Sequence, residues 1–161
     1  MKVFKFGGAS VKDAAGVKNL SSIVHQQHGQ LIVVVSAMGK TTNLLETLCN
    51  AYFHQDPKTT AIMKELKNFH LDIVNTLFPL NDTIHKHLEE LFTSLENILA
   101  SESSLCYDYE YDRIICFGEL ISTTIISDYL KMKGIENQFI DIRKFLKTDQ
   151  NYRNANIDLE L

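Results

Sequence analysis

Two short apolar runs near the start of the chain have the composition of β-strands. Residues 3–6 and 31–35 are rich in β-branched and aromatic side chains, which favour strands. Between them, Val17, Leu20 and Val24 recur at the spacing of an amphipathic helix. This order predicts a right-handed parallel βαβ unit whose two strand ends lie at one edge of a sheet. The unbroken apolar run at 31–35 predicts a strand buried on both faces.

Helical spacing dominates the rest of the chain. A helix is predicted from residue 42, and two long helices flank a break at 79–82 within the segment 59–100. Helices joined by so short a turn are expected to pair as an antiparallel hairpin, and we interpret their apolar stripes as packing. A third long helix is predicted over about 111–133, ended by Gly134. Residues 138–141 are expected to form a third strand. The pattern as a whole indicates an α/β protein.

Composition narrows the functional classes. The chain has 161 residues, of which 45% are apolar, and a formal charge of −4. It therefore lacks the basic excess of a nucleic-acid binder. No apolar run approaches the roughly 20 residues of a membrane span, and the polar start predicts no signal peptide. The three cysteines are widely spaced, which indicates reduced thiols in a cytoplasmic protein rather than a disulfide framework or a zinc site. The histidines do not cluster either, so no metal site is expected.

The first candidate for chemistry is the glycine loop, residues 7–10, directly after the first strand. Gly7 and Gly8 would let backbone amides approach a ligand and leave the next helix N-terminus open, an arrangement that suits phosphate. Lys5 could add a positive charge to a phosphoryl group in transfer. The alternative is a tight turn beside a solvated lysine. Local physics does not separate the two interpretations.

The second candidate is the second loop, residues 36–42, which follows the next strand. Its G-K-T ending suggests a Walker A motif, but that motif needs another glycine where Val34 lies. What remains is a set of hydroxyls, Ser36, Thr41 and Thr42, which could hold a carboxylate. The alternative is that Thr41 or Thr42 caps the next helix.

The third candidate is Glu119, a carboxylate in an otherwise apolar helical segment. A charge placed there either points to water or has a partner, since burying it alone is costly. Gly118 beside it leaves space for a ligand or a neighbouring backbone. Glu119 is thus either the counter-ion of a ligand's ammonium group or an ordinary surface glutamate.

Three ordered motifs carry a family resemblance. K-F-G-G-A-S-V at 5–11, V-S-A-M-G-K-T-T-N-L-L at 35–45 and F-G-E-L-I-S at 117–122 resemble the signatures of aspartate kinases, members of the amino-acid kinase superfamily. The resemblance implies the N-terminal part of a three-layer αβα, carbamate kinase-like fold with a long helical hairpin insertion. It runs along nearly the whole chain, but Ala9 stands where the family usually has Thr.

The resemblance also implies an activity and roles for individual residues. Aspartate kinases transfer the γ-phosphoryl group of Mg²⁺-bound ATP to the side-chain carboxylate of L-aspartate, the first step toward lysine, threonine and methionine. Lys5 would then stabilise the transferring group. The ATP-binding residues would be Lys5, Gly7, Gly8 and Ser10, and the aspartate-binding residues Ser36, Thr42 and Glu119, with no protein ligand to a metal.

The resemblance finally sets expectations about extent and alternatives. Residues 1–161 are expected to be the N-terminal part of the kinase domain, without the C-terminal nucleotide-binding half and the regulatory ACT domains, and so inactive alone. The full-length protein is expected to be a homo-oligomer that binds neither nucleic acid nor membrane. Two alternatives stay open, a kinase for glutamate or N-acetylglutamate and a binding or dimerisation module without catalysis.

Overall fold

The computed structural model describes residues 1–80 and 82–158. Asn81 of the predicted interhelical turn and residues 159–161 of the tail lie outside the described residues. The strands are β1 (Lys2–Phe6) and β2 (Leu31–Val35), and the helices are α1 (Ala14–His25), α2 (Thr41–Phe53), α3 (Thr59–Leu77), α4 (Thr83–Ala100), α5 (Tyr107–Ile115) and α6 (Phe117–Met132). Short 3₁₀ turns cover Gly8–Val11 and Ile142–Lys144.

The two strands form the predicted parallel pair. Val3 lies opposite Ile32 and Lys5 opposite Val34, so these four side chains share one face of the sheet. That face is open: Val3 is 60%, Ile32 46% and Val34 47% exposed. The prediction that β2 is buried on both faces is wrong for the described chain, because its helices cover only the opposite face, where Val33 and Val35 pack against the core.

One apolar core joins the six helices to the covered face of the sheet. Helix α6 packs on β2, α1 and α4, while α2 packs on α3 and α5. Its largest fully buried side chains include Leu20, Met38, Leu45, Leu66, Phe92, Ile114, Ile121 and Ile125. Among the described residues, no helix is long and apolar enough to cross a membrane.

The two long helices, α3 and α4, pack on each other and on other helices. Lys67 of α3 forms an ion pair of 2.7 Å with Glu96 of α4, so the helices do touch. However, α3 packs mainly on α2 and α4 mainly on α6. The contacts of Lys67 with Glu96 and of His70 with Phe92 run in opposite order along the two helices, as in the predicted antiparallel hairpin. Each apolar stripe nevertheless has a larger partner than its neighbour in sequence.

The helix predicted over 111–133 is broken at Cys116 into α5 and α6. The break lets Ile114 pack toward α2 while Phe117 begins a helix that packs on β2 and α4, which one straight helix could not do. The end of α6 is as predicted. Gly134 has φ +74, and the amide of Ile135 donates to the carbonyl oxygen of Leu130 at 2.9 Å, which is a Schellman motif.

The third strand predicted at 138–141 is absent from the part of the chain that the structure describes. The described residues form a sheet of two strands only, and Phe139 and Ile140 are exposed. Extended, apolar sequence makes a strand only where a neighbour offers a hydrogen-bonding edge, and here none of the described segments lies alongside.

Candidate active site

The loops after the two strands lie against each other. The amide of Ser36 donates to the carbonyl oxygen of Phe6 at 3.1 Å, and the amide of Gly39 donates to that of Gly8 at 3.0 Å. A Cβ on Gly8 would lie 2.6 Å from the carbonyl oxygen of Ala37. Only glycine allows this approach, so the sequence at position 8 fixes the contact between the glycine loop and the second loop.

Lys5 and the glycine loop form one surface. The ammonium nitrogen of Lys5 lies 3.6 Å from the position that a Cβ on Gly7 would occupy, so the side chain reaches forward along the loop. The amide of Ser10 donates to the carbonyl oxygen of Gly7 at 2.9 Å and is thereby used within the 3₁₀ turn. Ser10 is exposed.

The expectation of an open helix N-terminus after the glycine loop is wrong. Helix α1 begins only at Ala14, after the 3₁₀ turn, and Asp13 caps it by accepting a hydrogen bond of 2.8 Å from the amide of Gly16. The carboxylate already satisfies and neutralises that helix end. Phosphate contacts on this side are therefore expected from the turn itself and from the neighbouring lysines, Lys5 among them.

The start of α6 is joined to the second loop at three points. The amide of Ala37 donates to Oε1 of Glu119 at 3.2 Å, and the hydroxyl of Ser122 donates to the carbonyl oxygen of Ser36 at 2.8 Å. A Cβ on Gly118 would lie 2.8 Å from the Cβ of Ala37. Glu119 is exposed, and among the described residues nothing bonds to its second oxygen. One carboxylate oxygen is thus anchored while the other faces solvent.

The three hydroxyls of the second loop differ in burial and in hydrogen bonding. Ser36 and Thr42 are half-buried, and no hydrogen bond from either hydroxyl is seen within the described chain. Thr41 is buried, and its hydroxyl donates to the carbonyl oxygen of Met38 at 2.6 Å. Helix α2 has no side-chain cap, so the interpretation of Thr41 or Thr42 as a cap is wrong.

Charge around the two loops is mixed. Lys5, Lys12 and Lys40 are exposed, and none of them forms an ion pair with the described residues. The Cβ of Lys12 lies 3.5 Å from the position that a Cβ on Gly39 would occupy, so this lysine, which sequence reasoning missed, borders both loops. With Glu119 at the other end, the surface offers cations for an anion and a carboxylate for an ammonium group.

Sequence reasoning also missed His70 of α3, which is fully buried next to Thr41. Its Nε2 lies 3.3 Å from the Thr41 hydroxyl oxygen and its Nδ1 2.8 Å from the carbonyl oxygen of Leu66. Burial lowers the pKa of His70 from 6.5 to about 4, although the hydrogen bond to Leu66 opposes this. The only signal in the sequence is a histidine inside an apolar stripe.

The described residues offer no ready metal centre. They contain no group of three or more histidine, cysteine or acidic side chains placed to share an ion, and Glu119 is the one carboxylate among the motif residues. Cys49, Cys106 and Cys116 are free thiols. Burial raises the pKa of Cys49 to about 11 and also raises that of Cys116, so both stay protonated at neutral pH.

Fold and site together define an α/β protein in which the glycine loop and the second loop lie against each other at one edge of the sheet. The chain belongs to the amino acid kinase family, whose model matches residues 1–159. It is 31% identical to the chloroplastic aspartokinase 2 of Arabidopsis thaliana over 96% of its length, and 27% identical to the lysine-sensitive aspartokinase 3 of Escherichia coli K12 over 98%. It spans only 29% and 34% of those relatives.

A solved structure agrees with this assignment. E. coli aspartokinase III in complex with aspartate and ADP superposes with a TM-score of 0.86 at 26% identity, over 98% of this chain and 35% of that one. The predicted amino-acid kinase fold and the resemblance to aspartokinases are therefore confirmed.

Proposed function

We propose that this chain forms the aspartate-binding side and the phosphate loop of an aspartate kinase. The reaction is transfer of the γ-phosphoryl group of ATP to the side-chain carboxylate of L-aspartate, which gives 4-phospho-L-aspartate and ADP. The observation that carries this proposal is the convergence of the three motif segments, in which Glu119 bonds to Ala37 and Gly39 bonds to Gly8. The aspartate and ADP of the similar E. coli structure support the choice of ligands.

In this proposal the glycine loop and Lys5 receive the phosphates. Gly8 keeps the loop close against the neighbouring carbonyl oxygens, and Gly7 lets the Lys5 ammonium group lie over it. The amides of Gly7 and Gly8 and the hydroxyl of Ser10 hold phosphate oxygens. Lys5 stabilises the negative charge that the transferring group carries, which is the main task of a protein in phosphoryl transfer.

The aspartate side uses Ser36, Thr42 and Glu119. The two hydroxyls, which have no partner among the described residues, donate to carboxylate oxygens of the substrate. The free oxygen of Glu119 pairs with the substrate's ammonium group, while the bond from Ala37 holds the other oxygen in place. The side-chain carboxyl of aspartate has an ordinary pKa of about 3.9, so it is already a nucleophile at neutral pH. No general base is therefore needed, and the protein's task is to hold the carboxylate in position for attack.

The Mg²⁺ that accompanies ATP in such kinases does not fit the described residues as a protein-bound ion. A divalent cation of this kind takes oxygen ligands in octahedral geometry, and no acidic cluster is present in the described chain. No step is therefore assigned to a metal held by these residues. A cytoplasmic location and a homo-oligomeric assembly belong to the same proposal.

Calorimetry with L-aspartate tests the binding half of the proposal. We expect the chain to bind L-aspartate and Glu119→Gln to weaken the affinity at least about tenfold, because a charge-assisted bond to the ammonium group is lost. Glu136→Gln is the matched control, since Glu136 is exposed and far along the chain after α6. Equal affinities for the Glu119 and Glu136 variants would rule out the ammonium contact.

Competition separates the substrates. N-acetylglutamate has no ammonium group for Glu119. We therefore expect the chain to bind L-aspartate more tightly than N-acetylglutamate when the two ligands compete. Preference for N-acetylglutamate would identify a different amino-acid kinase, and binding of neither would favour a non-catalytic module.

Turnover is measured by trapping aspartyl phosphate with hydroxylamine. Because the chain spans about a third of its relatives, we expect binding without turnover from the chain alone. We expect turnover once the sequence is extended to the relatives' length, and its loss again in Lys5→Ala but not in the exposed control Lys18→Ala. Robust turnover by the chain alone would contradict the proposed division of the site.

A further inference from the structure

His70 connects helix α3 to the second loop from the inside of the protein. Its Nδ1 is 2.8 Å from the carbonyl oxygen of Leu66, one turn earlier in the helix. Because a carbonyl oxygen can only accept, Nδ1 carries the proton of the neutral ring and Nε2 presents a lone pair. That lone pair faces the hydroxyl oxygen of Thr41 at 3.3 Å. The ring thus bridges the helix backbone and the end of the second loop.

Thr41 closes the turn by which the second loop enters α2. Its amide donates to the carbonyl oxygen of Met38 at 3.0 Å, and its hydroxyl donates to the same oxygen at 2.6 Å. The single hydroxyl proton has two acceptors within reach, Met38 and His70. The position of the imidazole therefore limits where Thr41 can lie, and with it the adjacent Thr42.

The preceding residue of α3 makes a second contact with the same loop. A ring carbon of Phe69 lies 3.5 Å from the position that a Cβ on Gly39 would occupy. Gly39 adopts φ +55 and donates its amide to Gly8. Helix α3 therefore supports the second loop at residues 39 and 41, and through Gly39 it also reaches the glycine loop.

We propose that His70 is a positioning residue for the candidate active site: it fixes Thr41, and thereby the second loop and the Thr42 hydroxyl, without touching substrate. The identity of the ligand rests on the proposed aspartate kinase function, whereas the holding of the loop does not. A buried polar ring costs free energy that an aliphatic side chain in the same stripe would not. The hydrogen bond to Leu66 offsets part of that cost, and Nε2 lies within reach of the Thr41 hydroxyl.

Two amide substitutions at His70, one with a longer and one with a shorter side chain, separate the two contacts of the ring. His70→Gln carries its terminal amide to about the position of Nε2 and keeps the contact with Thr41. His70→Asn ends near the position of Nδ1, so it keeps only the contact with Leu66. Thr41→Val removes the hydroxyl from the other side with little change in shape. The readouts are the exchange rates of the Gly39 and Thr41 amides, measured against Leu88 in α4, and the affinity for L-aspartate.

For His70→Asn and for Thr41→Val we expect the two loop amides to exchange about tenfold faster, because each variant removes a buried polar contact of the Thr41 hydroxyl. We expect L-aspartate to bind about tenfold more weakly in both variants, and His70→Gln to stay within about threefold of the parent. The double variant should be no worse than either single one. Thr41→Val still decides the question if His70→Asn does not fold.

The two readouts distinguish failure of the His70 inference from failure of the proposed function. If the loop amides of His70→Asn and Thr41→Val exchange no faster than those of the parent, His70 is only a packing residue and the inference is overturned. If exchange rises as expected but no variant and not even the parent binds L-aspartate, the proposed function fails while the positioning role of His70 stands.

Discussion

Replacing His70 with glutamine should make the protein more resistant to acid. The pKa of the buried ring is about 4, whereas its ordinary value in an unfolded chain is 6.5. Between these values the unfolded state binds a proton that the folded state does not, so the free energy of unfolding rises with pH over this interval. The stabilising effect of the neutral, buried ring is complete above pH 6.5 and is lost as the pH falls through about 4.

The magnitude follows from the two pKa values. They differ by about 2.5, and each unit corresponds to about 1.4 kcal/mol. The parent should therefore lose about 3 kcal/mol of unfolding free energy that His70→Gln, which has nothing to titrate at this position, does not lose. Such a loss is a large fraction of the stability of a domain of this size.

Urea unfolding followed by circular dichroism measures this difference. Both proteins are unfolded at a series of pH values from above 6.5 down to about 4. Subtracting one plot of unfolding free energy against pH from the other removes the contribution of the carboxylates that titrate in both proteins. His28→Gln is the control, because His28 is exposed and should follow the parent. Parallel curves for the parent and His70→Gln would refute the assignment of His70 as a buried neutral ring.

Further predictions concern the packing of the loops and of α5. Gly8→Ala should destabilise the fold by about 1–3 kcal/mol, since its Cβ would press on a carbonyl oxygen, while Gly7→Ala should be tolerated in urea unfolding; equal losses would disprove the close approach at Gly8. Arg113→Ala should cost about 3 kcal/mol, because it leaves the fully buried Glu110 without its ion pair and with only the amide of Ser104 as a partner. A loss below about 1 kcal/mol in the same assay would contradict a buried ion pair. Ser122→Ala should cost about 1 kcal/mol through the lost bond to the second loop, measurable as a lower urea midpoint, and an unchanged midpoint would count against that bond.

Local pattern was enough for the elements whose cause is local. The βαβ unit, the parallel pairing and the glycine that ends α6 all follow from spacing, β-branched composition and backbone freedom within a few residues. The same holds for the contact between the glycine loop and the second loop, because parallel strands bring their ends to one edge.

Features set by distant partners could not be predicted. The apolar stripe runs through Cys116 without interruption, so the break there depends on α5 and α6 packing on different helices. The strand expected at 138–141 needed an edge that the sequence cannot locate. His70 and Thr41 are 29 residues apart, and only the packing of α3 against α2 brings them together.

The open face of the sheet has an electrostatic consequence for Lys5. Lys5 stands in register with Val34, and Val3 and Ile32 lie beside them on that face. Anything that packs on these apolar side chains also removes water from the lysine stem. The attraction between an ammonium group and a phosphoryl oxygen grows roughly fourfold as the effective dielectric constant falls from about 80 to about 20. For the proposed contact of Lys5 with a phosphate, the strength of the attraction therefore depends on whether the open face of the sheet is covered.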